Sequence, residues 1–255
     1  MTKPRLGIFS LTGCGGDQLM ILNMEDQLLA LLDRFYIVDF QEGSSVKEAG
    51  PIDIALVEGS VSTETDVKHL KEIRERSKTL IAFGNCAIDG CIQAMRNNQT
   101  SLEEKLRDVY DVEPGFFDAV DSKGIGKYVK VDYSIPGCPV EKKEVLTAIT
   151  SLLHGDSPWA TNYPVCVECK LNEYPCVIIE KNLPCLGPII SAGCDARCPK
   201  LGLDCIGCRG PVMGGDIIPA EYKMLIDRRY DKEYILNRLR FFCGNIDPKP
   251  LGGEN

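Results

Sequence analysis

Between Cys166 and Cys208 eight cysteines follow one another with the spacing C-x2-C-x6-C-x8-C-x8-C-x3-C-x6-C-x2-C. They are Cys166, Cys169, Cys176, Cys185, Cys194, Cys198, Cys205 and Cys208. The residues between them are largely Pro, Gly and short apolar pairs, which leaves little length for helix or strand. Something other than regular secondary structure has to hold such a segment. Eight thiols divide into two sets of four, and four thiolates complete one 4Fe–4S cube or one tetrahedral zinc site. Bound metal then takes over the work of a core. Disulfides are the alternative. The opening MTKPRLGIFSLTG has neither the apolar h-region nor the small-residue cleavage site of a secretory signal. Thiols of a non-secreted chain stay reduced, and 13 cysteines cannot all pair. The segment is therefore expected to bind metal.

A chain of 255 residues allows one large or two modest domains. No apolar run approaches the ~18 residues of a membrane span. The net charge is −8 and no Lys/Arg-rich block occurs, which argues against a nucleic-acid partner. His69 and His154 are the only histidines, so cysteine is the one abundant metal ligand.

The first half reads as alternating short apolar runs and helical stripes. Arg5–Leu11, Phe35–Phe40, Ile52–Val57 and Thr79–Phe83 are expected strands. Helices are expected over Leu19–Leu32, over Asp66–Arg76 behind Ser62/Thr63 caps, and over Ala87–Met95. Asn97–Lys127 is polar, with a helix near Leu102–Tyr110 and then loop. Pro139 suits a first helical position, with an amphipathic helix over Val140–Leu153. Such alternation predicts an open parallel α/β sheet with right-handed crossovers.

Cys14 and Cys86 each follow the carboxyl end of an expected strand, and Cys138 sits in a Gly-Cys-Pro turn. Ligands of open α/β sheets gather beyond those strand ends, so the three thiols are expected to meet at one edge. A fourth ligand has to come from elsewhere. Asp17 lies three residues after Cys14, where a C-x2-C pair carries its second thiol. A carboxylate can hold iron, although it is a harder ligand than a thiolate. Asp17 as a helix N-cap or first-turn acid is the competing reading. Glu58, at a strand end near this site, suits an acid hydrogen-bonded to loop amides, with proton handling the alternative. His69 reads as a surface residue. Gly13–Gln18 is not G-x-G-x-x-G, because Gln18 holds the place of the last glycine, so dinucleotide binding is not expected.

Gly155-Asp156-Ser157-Pro158 breaks the last helix of this half. That places a boundary between residues 1–156 and 157–255. Beyond the cysteines, helices are expected at Ala220–Ile226 and Lys232–Phe242. Cys91 and Cys243 fall in apolar helical patterns and read as small buried hydrophobes. Zinc in two C-x2-C-rich sites describes a rigid scaffold protein. The apolar, proline-rich surroundings suit an electron carrier better, and Cys14, Cys86 and Cys138 have no role in a zinc-ribbon account.

The chain resembles the small subunit of NiFe hydrogenases of the cytosolic type, the delta subunit of sulfhydrogenases and the gamma subunit of F420-non-reducing hydrogenases. The motifs that carry the resemblance are LTGCGGDQ (Leu11–Gln18), VEGSVST (Val57–Thr63), GNCAIDG (Gly84–Gly90), IPGCPVEKK (Ile135–Lys143) and YPVCVEC (Tyr163–Cys169). LPCLGP (Leu183–Pro188), GCDARCPKLG (Gly193–Gly202) and CIGCRGPV (Cys205–Val212) add to it. It implies a flavodoxin-like domain over 1–156, with a proximal cluster on Cys14, Cys86, Cys138 and, in the place of a usual cysteine, Asp17. It implies a loop-rich iron–sulfur domain with a few helices over 157–255. There a medial cluster would use Cys194, Cys198, Cys205 and Cys208, and a distal one Cys166, Cys169, Cys176 and Cys185.

The function so implied is electron relay through three 4Fe–4S clusters. They would link the nickel–iron site of a large subunit to a flavin- or iron–sulfur-containing partner in an obligate cytoplasmic hetero-oligomer. A same-class rival is a relay whose large subunit has lost nickel. The 20 kDa subunit of respiratory complex I is set aside because its adjacent Cys-Cys pair does not occur here.

Overall fold

A computed structural model describes residues 3–113, 115–158, 161–212 and 217–246. The chain runs through β1 (Arg5–Ser10), α1 (Gly16–Leu22), α2 (Asp26–Arg34), β2 (Tyr36–Phe40), β3 (Ile52–Glu58) and β4 (Val61–Thr63). It continues through α3 (Glu64–Arg76), β5 (Ser77–Phe83), α4 (Asn85–Asp89), α5 (Leu102–Tyr110), β6 (Ala119–Lys123), β7 (Tyr133–Ile135) and α6 (Lys142–Leu153). Five strands form a parallel sheet in the order β2-β1-β3-β5-β7. Leaving out β4 and β6, which pair antiparallel beside it, this is the 2-1-3-4-5 order of the flavodoxin-like fold.

The sheet is covered on both faces, and this is why its strands read as continuous apolar runs. Along β3, Ile54 and Leu56 join Leu6, Ile8, Ile81 and Phe83 beneath α1, α2 and α6, where Ile21, Leu31, Val145 and Ile149 lie. Ala55 and Val57 point the other way, to Leu70 and Ile73 of α3. Leu6, Leu56, Ile81 and Phe83 are wholly buried, each contributing roughly 1.5–3 kcal/mol. Thr63 caps α3 as expected. Its side chain accepts from the Asp66 amide, and the Asp66 carboxylate accepts the Thr63 amide in return.

Four expectations need correction. The single helix over Leu19–Leu32 is two, broken at Asn23–Glu25, where Glu25 has φ 53°. The helix over Ala87–Met95 stops at Gly90, with φ 87°, and a 3-10 turn follows at Cys91–Ala94. Pro139 is not in α6. It follows Cys138 through a cis peptide, and the helix starts at Lys142. The polar stretch after Tyr110 holds a strand, β6, because β4 offers it a partner.

Beyond the sheet come α7 (Val165–Leu171), α8 (Val177–Lys181), α9 (Arg197–Lys200), α10 (Ile218–Asp227) and α11 (Lys232–Phe242). The expectation that metal alone replaces a core here is too strong. Val165, Ile178, Leu186, Ile189 and Ile190 pack with Tyr222 and Leu225 of α10 and Ile235 and Leu239 of α11. The end of α11 returns to the first half, where the Asn85 side-chain amide donates to the Phe242 carbonyl at 2.6 Å. No helix among the described residues is long and apolar enough to cross a membrane.

Candidate metal centre

The sheet order reverses between β1 and β3, and the first of three thiol groups lies beyond the carboxyl ends of the strands there. A recess of ≈ 100 Å³ opens there, lined by Gly13–Asp17, Glu58, Gly59, Cys86, Cys138 and Pro139. Three turns that follow β1, β5 and β7 thus bring Cys14, Cys86 and Cys138 together. Cys14 is exposed at the rim, and Cys86 is buried.

Asp17 faces this recess from the first turn of α1. Asp17 is thus a first-turn acid and not the N-cap of α1, and its Oδ1 also serves a neighbouring turn by accepting the Val140 amide at 2.9 Å. Its Oδ2 lies over Gly84, where φ is 85° and a Cβ would come within 1.8 Å. Burial pushes the Asp17 carboxyl up to about 8, against the pull of the Val140 amide, with Glu58 and Cys138 adding to the rise. Glu58 is 2% exposed and accepts the Gln18 amide at 3.0 Å and the Ser10 hydroxyl at 3.1 Å, in line with its expected role. His69 is exposed, its ring edge-on to Phe9.

Sequence reasoning missed the position of Cys91. It is fully buried, as expected for a small hydrophobe, and it packs in one small cluster with Cys86 and Cys138. That contact draws the Cys138 thiol down to about 7 against the effect of burial. Gly90 and the left-handed Cys91 (φ 48°) turn the chain back toward the recess. The Gly-Cys pair after Asp89 was the available signal.

A second group forms around α7. Cys166 and Cys169 lie one turn apart on it, and Cys176 and Cys185 close the group. Burial, together with the neighbouring Cys185, Cys169 and Cys176, pushes the Cys166 thiol up to about 12. Gly187 sits between the sulfurs. A Cβ there would lie 3.3 Å from Cys185 Sγ and 3.5 Å from Cys166 Sγ.

The third group is Cys194, Cys198, Cys205 and Cys208. Burial pushes Cys208 up to about 11, with Cys194 and Cys198 adding to it, and Cys205 is raised above the ordinary thiol range. This group adjoins both others. Cys138 of the first and Cys208 pack against one small cluster with Cys86 and Cys91, and the Cys205 amide donates to Cys185 Sγ of the second at 3.2 Å.

Two buried charges pin these loops. Glu168, between Cys166 and Cys169, accepts the Gly193 amide at 2.7 Å and the Ala196 amide at 2.9 Å. Arg209, next to Cys208, is 2% exposed and pairs with Glu144 of α6 at 2.7 Å. Cys243 is buried beside Cys86, Cys91 and Phe242.

All 13 cysteines are free thiols. Among the described residues no group of three or more Cys, His, Asp or Glu side chains is drawn tightly enough to hold a single ion. The thiols instead stand around a space, as at the recess and at Gly187. Groups of thiols suit iron–sulfur clusters, and the Asp17 carboxylate that lines the recess with Cys14, Cys86 and Cys138 is a harder donor than they are.

Residues 14–152 match the family described as NADH ubiquinone oxidoreductase, 20 kDa subunit. The delta subunit of sulfhydrogenase 2 from Pyrococcus furiosus is 43% identical over 94% of this chain and 99% of its own length. A subunit of the vhu F420-non-reducing hydrogenase of Methanocaldococcus jannaschii is 35% identical over 81% of each chain. A solved NAD+-reducing [NiFe]-hydrogenase in its H2-reduced state superposes with a TM-score of 0.55 and 32% identity, over 62% of this chain and 94% of that one. The chain belongs to this family of iron–sulfur electron-transfer subunits, in the branch formed by the small subunits of NiFe hydrogenases.

Proposed function

We propose that the chain is the electron-relay subunit of a cytoplasmic NiFe hydrogenase, an obligate hetero-oligomer. It stands between a large subunit carrying the nickel–iron site and a flavin- or iron–sulfur-containing partner that passes electrons to NAD(P), another carrier or sulfur. Residues 1–156 form the flavodoxin-like domain, and 157–255 form the iron–sulfur domain. Cys14, Asp17, Cys86 and Cys138 hold the proximal cluster. Cys194, Cys198, Cys205 and Cys208 hold the medial one, and Cys166, Cys169, Cys176 and Cys185 the distal one. Each 4Fe–4S cube supplies reversible one-electron chemistry when bound.

The observation that carries this reading is the serial contact of the thiol groups. Cys208 of the middle group packs against the same small cluster as Cys138 of the first. The Cys205 amide reaches Cys185 of the last. The first group opens beside the exposed Cys14. The last lies near Leu171 and Ile179, exposed apolar side chains suited to a protein partner. The chain's own part is to hold the sulfurs in line, to donate amides to them and to keep water away, which sets cluster potentials.

The test is purification of the intact complex, with hydrogen-dependent dye reduction measured alongside iron and nickel. About 12 iron per copy of this chain are expected, four for each cube. A colourless, iron-free assembly with about two zinc would overturn the relay. For Asp17, the Asp17→Cys complex should show one altered electron-paramagnetic spectrum, and an unchanged spectrum would count against ligation.

A further inference from the structure

Resting on the relay reading, we propose that Arg209 is the positioning residue that locks the proximal group of ligands to the medial one. Its buried charge, set against that of Glu144, fixes the relative potentials of the two clusters.

One guanidinium reaches both groups. Arg209 follows Cys208 directly in the chain. Its Nε donates to the carbonyl oxygens of Ser191 at 3.1 Å and Ala192 at 2.9 Å, three and two residues before Cys194. Nη1 donates to the Pro136 carbonyl at 3.0 Å, two residues before Cys138. Nη2 donates to both carboxylate oxygens of Glu144, at 2.7 and 2.8 Å. Each Arg209 nitrogen is therefore engaged. Glu144 belongs to α6 of the sheet domain, and the Ser191 and Ala192 carbonyls belong to the cysteine loops. The pair rests on Gly193, whose φ is 118° and where a Cβ would come within 2.3 Å of Glu144 Oε1 and 2.4 Å of Arg209 Nη2. Only a glycine ahead of Cys194 leaves this space.

A planar fork with fixed donor directions suits such a three-way clamp, whereas lysine supplies charge without the fork. Sequestered from water, a charge acts strongly on its neighbours. Arg209 directly follows Cys208 and holds the carbonyls three and two residues ahead of Cys194, so its charge stands beside the medial group. A cation here favours the reduced, more negative cluster and raises its potential. The Glu144 carboxylate acts in the opposite sense.

The experiment uses the whole complex carrying Arg209→Gln, Arg209→Lys or Glu144→Gln, with iron content, cluster midpoint potentials and spin–spin splitting followed by electron paramagnetic resonance. Arg209→Gln is expected to lower the medial potential and Glu144→Gln to raise it. Arg209→Lys should keep the potential near the wild-type value while changing the splitting between proximal and medial spins. Opposite shifts would not arise from loosened packing alone. Should Arg209→Gln not assemble, the other two variants still read the charge and the fork separately. Iron-replete variants with wild-type potentials and splitting, or shifts of one sign in Arg209→Gln and Glu144→Gln, would overturn the assignment. A wild-type complex without iron would instead overturn the relay beneath it.

Discussion

In the sheet, Leu56 and Phe83 are buried between helices that cover both faces, and the strands satisfy one another's amides. Around the cysteines, α7, α8 and α9 have seven, five and four residues. There many loop amides and carbonyls find side-chain partners such as Glu168 and Arg209 instead of a ladder. One half is held by apolar area. The other combines a smaller apolar cluster with thiols, buried charges and, on our reading, inorganic cubes. Isolated turns of helix are too short to persist on their own, so α7 to α9 lean on the apolar cluster, the buried charges and, on our reading, the bound cubes. The comparison teaches that the sheet serves as the rigid frame and the cysteine loops as its ligand-dependent attachment.

Stripping iron from the purified complex with a chelator is the severest test of that contrast. Hydrogen exchange should lose its protection over α7 to α9 while β1, β3 and β5 keep theirs. Equal loss in both halves would break the comparison. Single substitutions sharpen it on a smaller scale. Phe83→Ala should cost about 3–5 kcal/mol by urea unfolding of the sheet domain, through the lost burial and the cavity left. Glu168→Ala leaves the Gly193 and Ala196 amides without their acceptor, at about 1–3 kcal/mol each. It should destabilise the cysteine loops and leave sheet protection unchanged.

The smallest expected effect is a pH dependence at the join. Burial pushes the Asp89 carboxyl up to about 6, against the opposing pull of Lys127 and the Asn245 amide. Its folded-state value thus lies above the ordinary 3.8. The associated stability is present below that ordinary value and is lost as pH rises through about 6. Urea midpoints measured across that window should fall with pH in the wild-type chain and fall less in Asp89→Asn.

Four strands of the sheet were legible because a strand covered on both faces needs an unbroken apolar run, as in Ile52–Val57. The polar β6 and the three-residue β7 were not, since each exists through a partner distant in sequence. The break at Asn23–Glu25 was hidden by an apolar stripe that continues across it. In the site, Cys14, Cys86 and Cys138 could be placed at one edge because topology puts strand ends together, and the recess gathers them with Asp17. Cys91 is the small buried hydrophobe expected, but its place beside Cys86 and Cys138 was not legible, since it depends on the left-handed backbone at two successive residues. Arg209 entered only as one letter of the CIGCRGPV motif, because its partner Glu144 lies 65 residues away.

The amino-acid order alone thus determined the fold class, the sulfur chemistry and the family, because apolar periodicity and ligand spacing are local properties of a chain. Only the tertiary structure decided which groups adjoin, that Asp17 turns to Val140 and Gly84, and that one buried arginine ties Cys138 to Cys194 and Cys208. Those contacts join segments remote in sequence, and they form only once the sheet has fixed the positions of its turns.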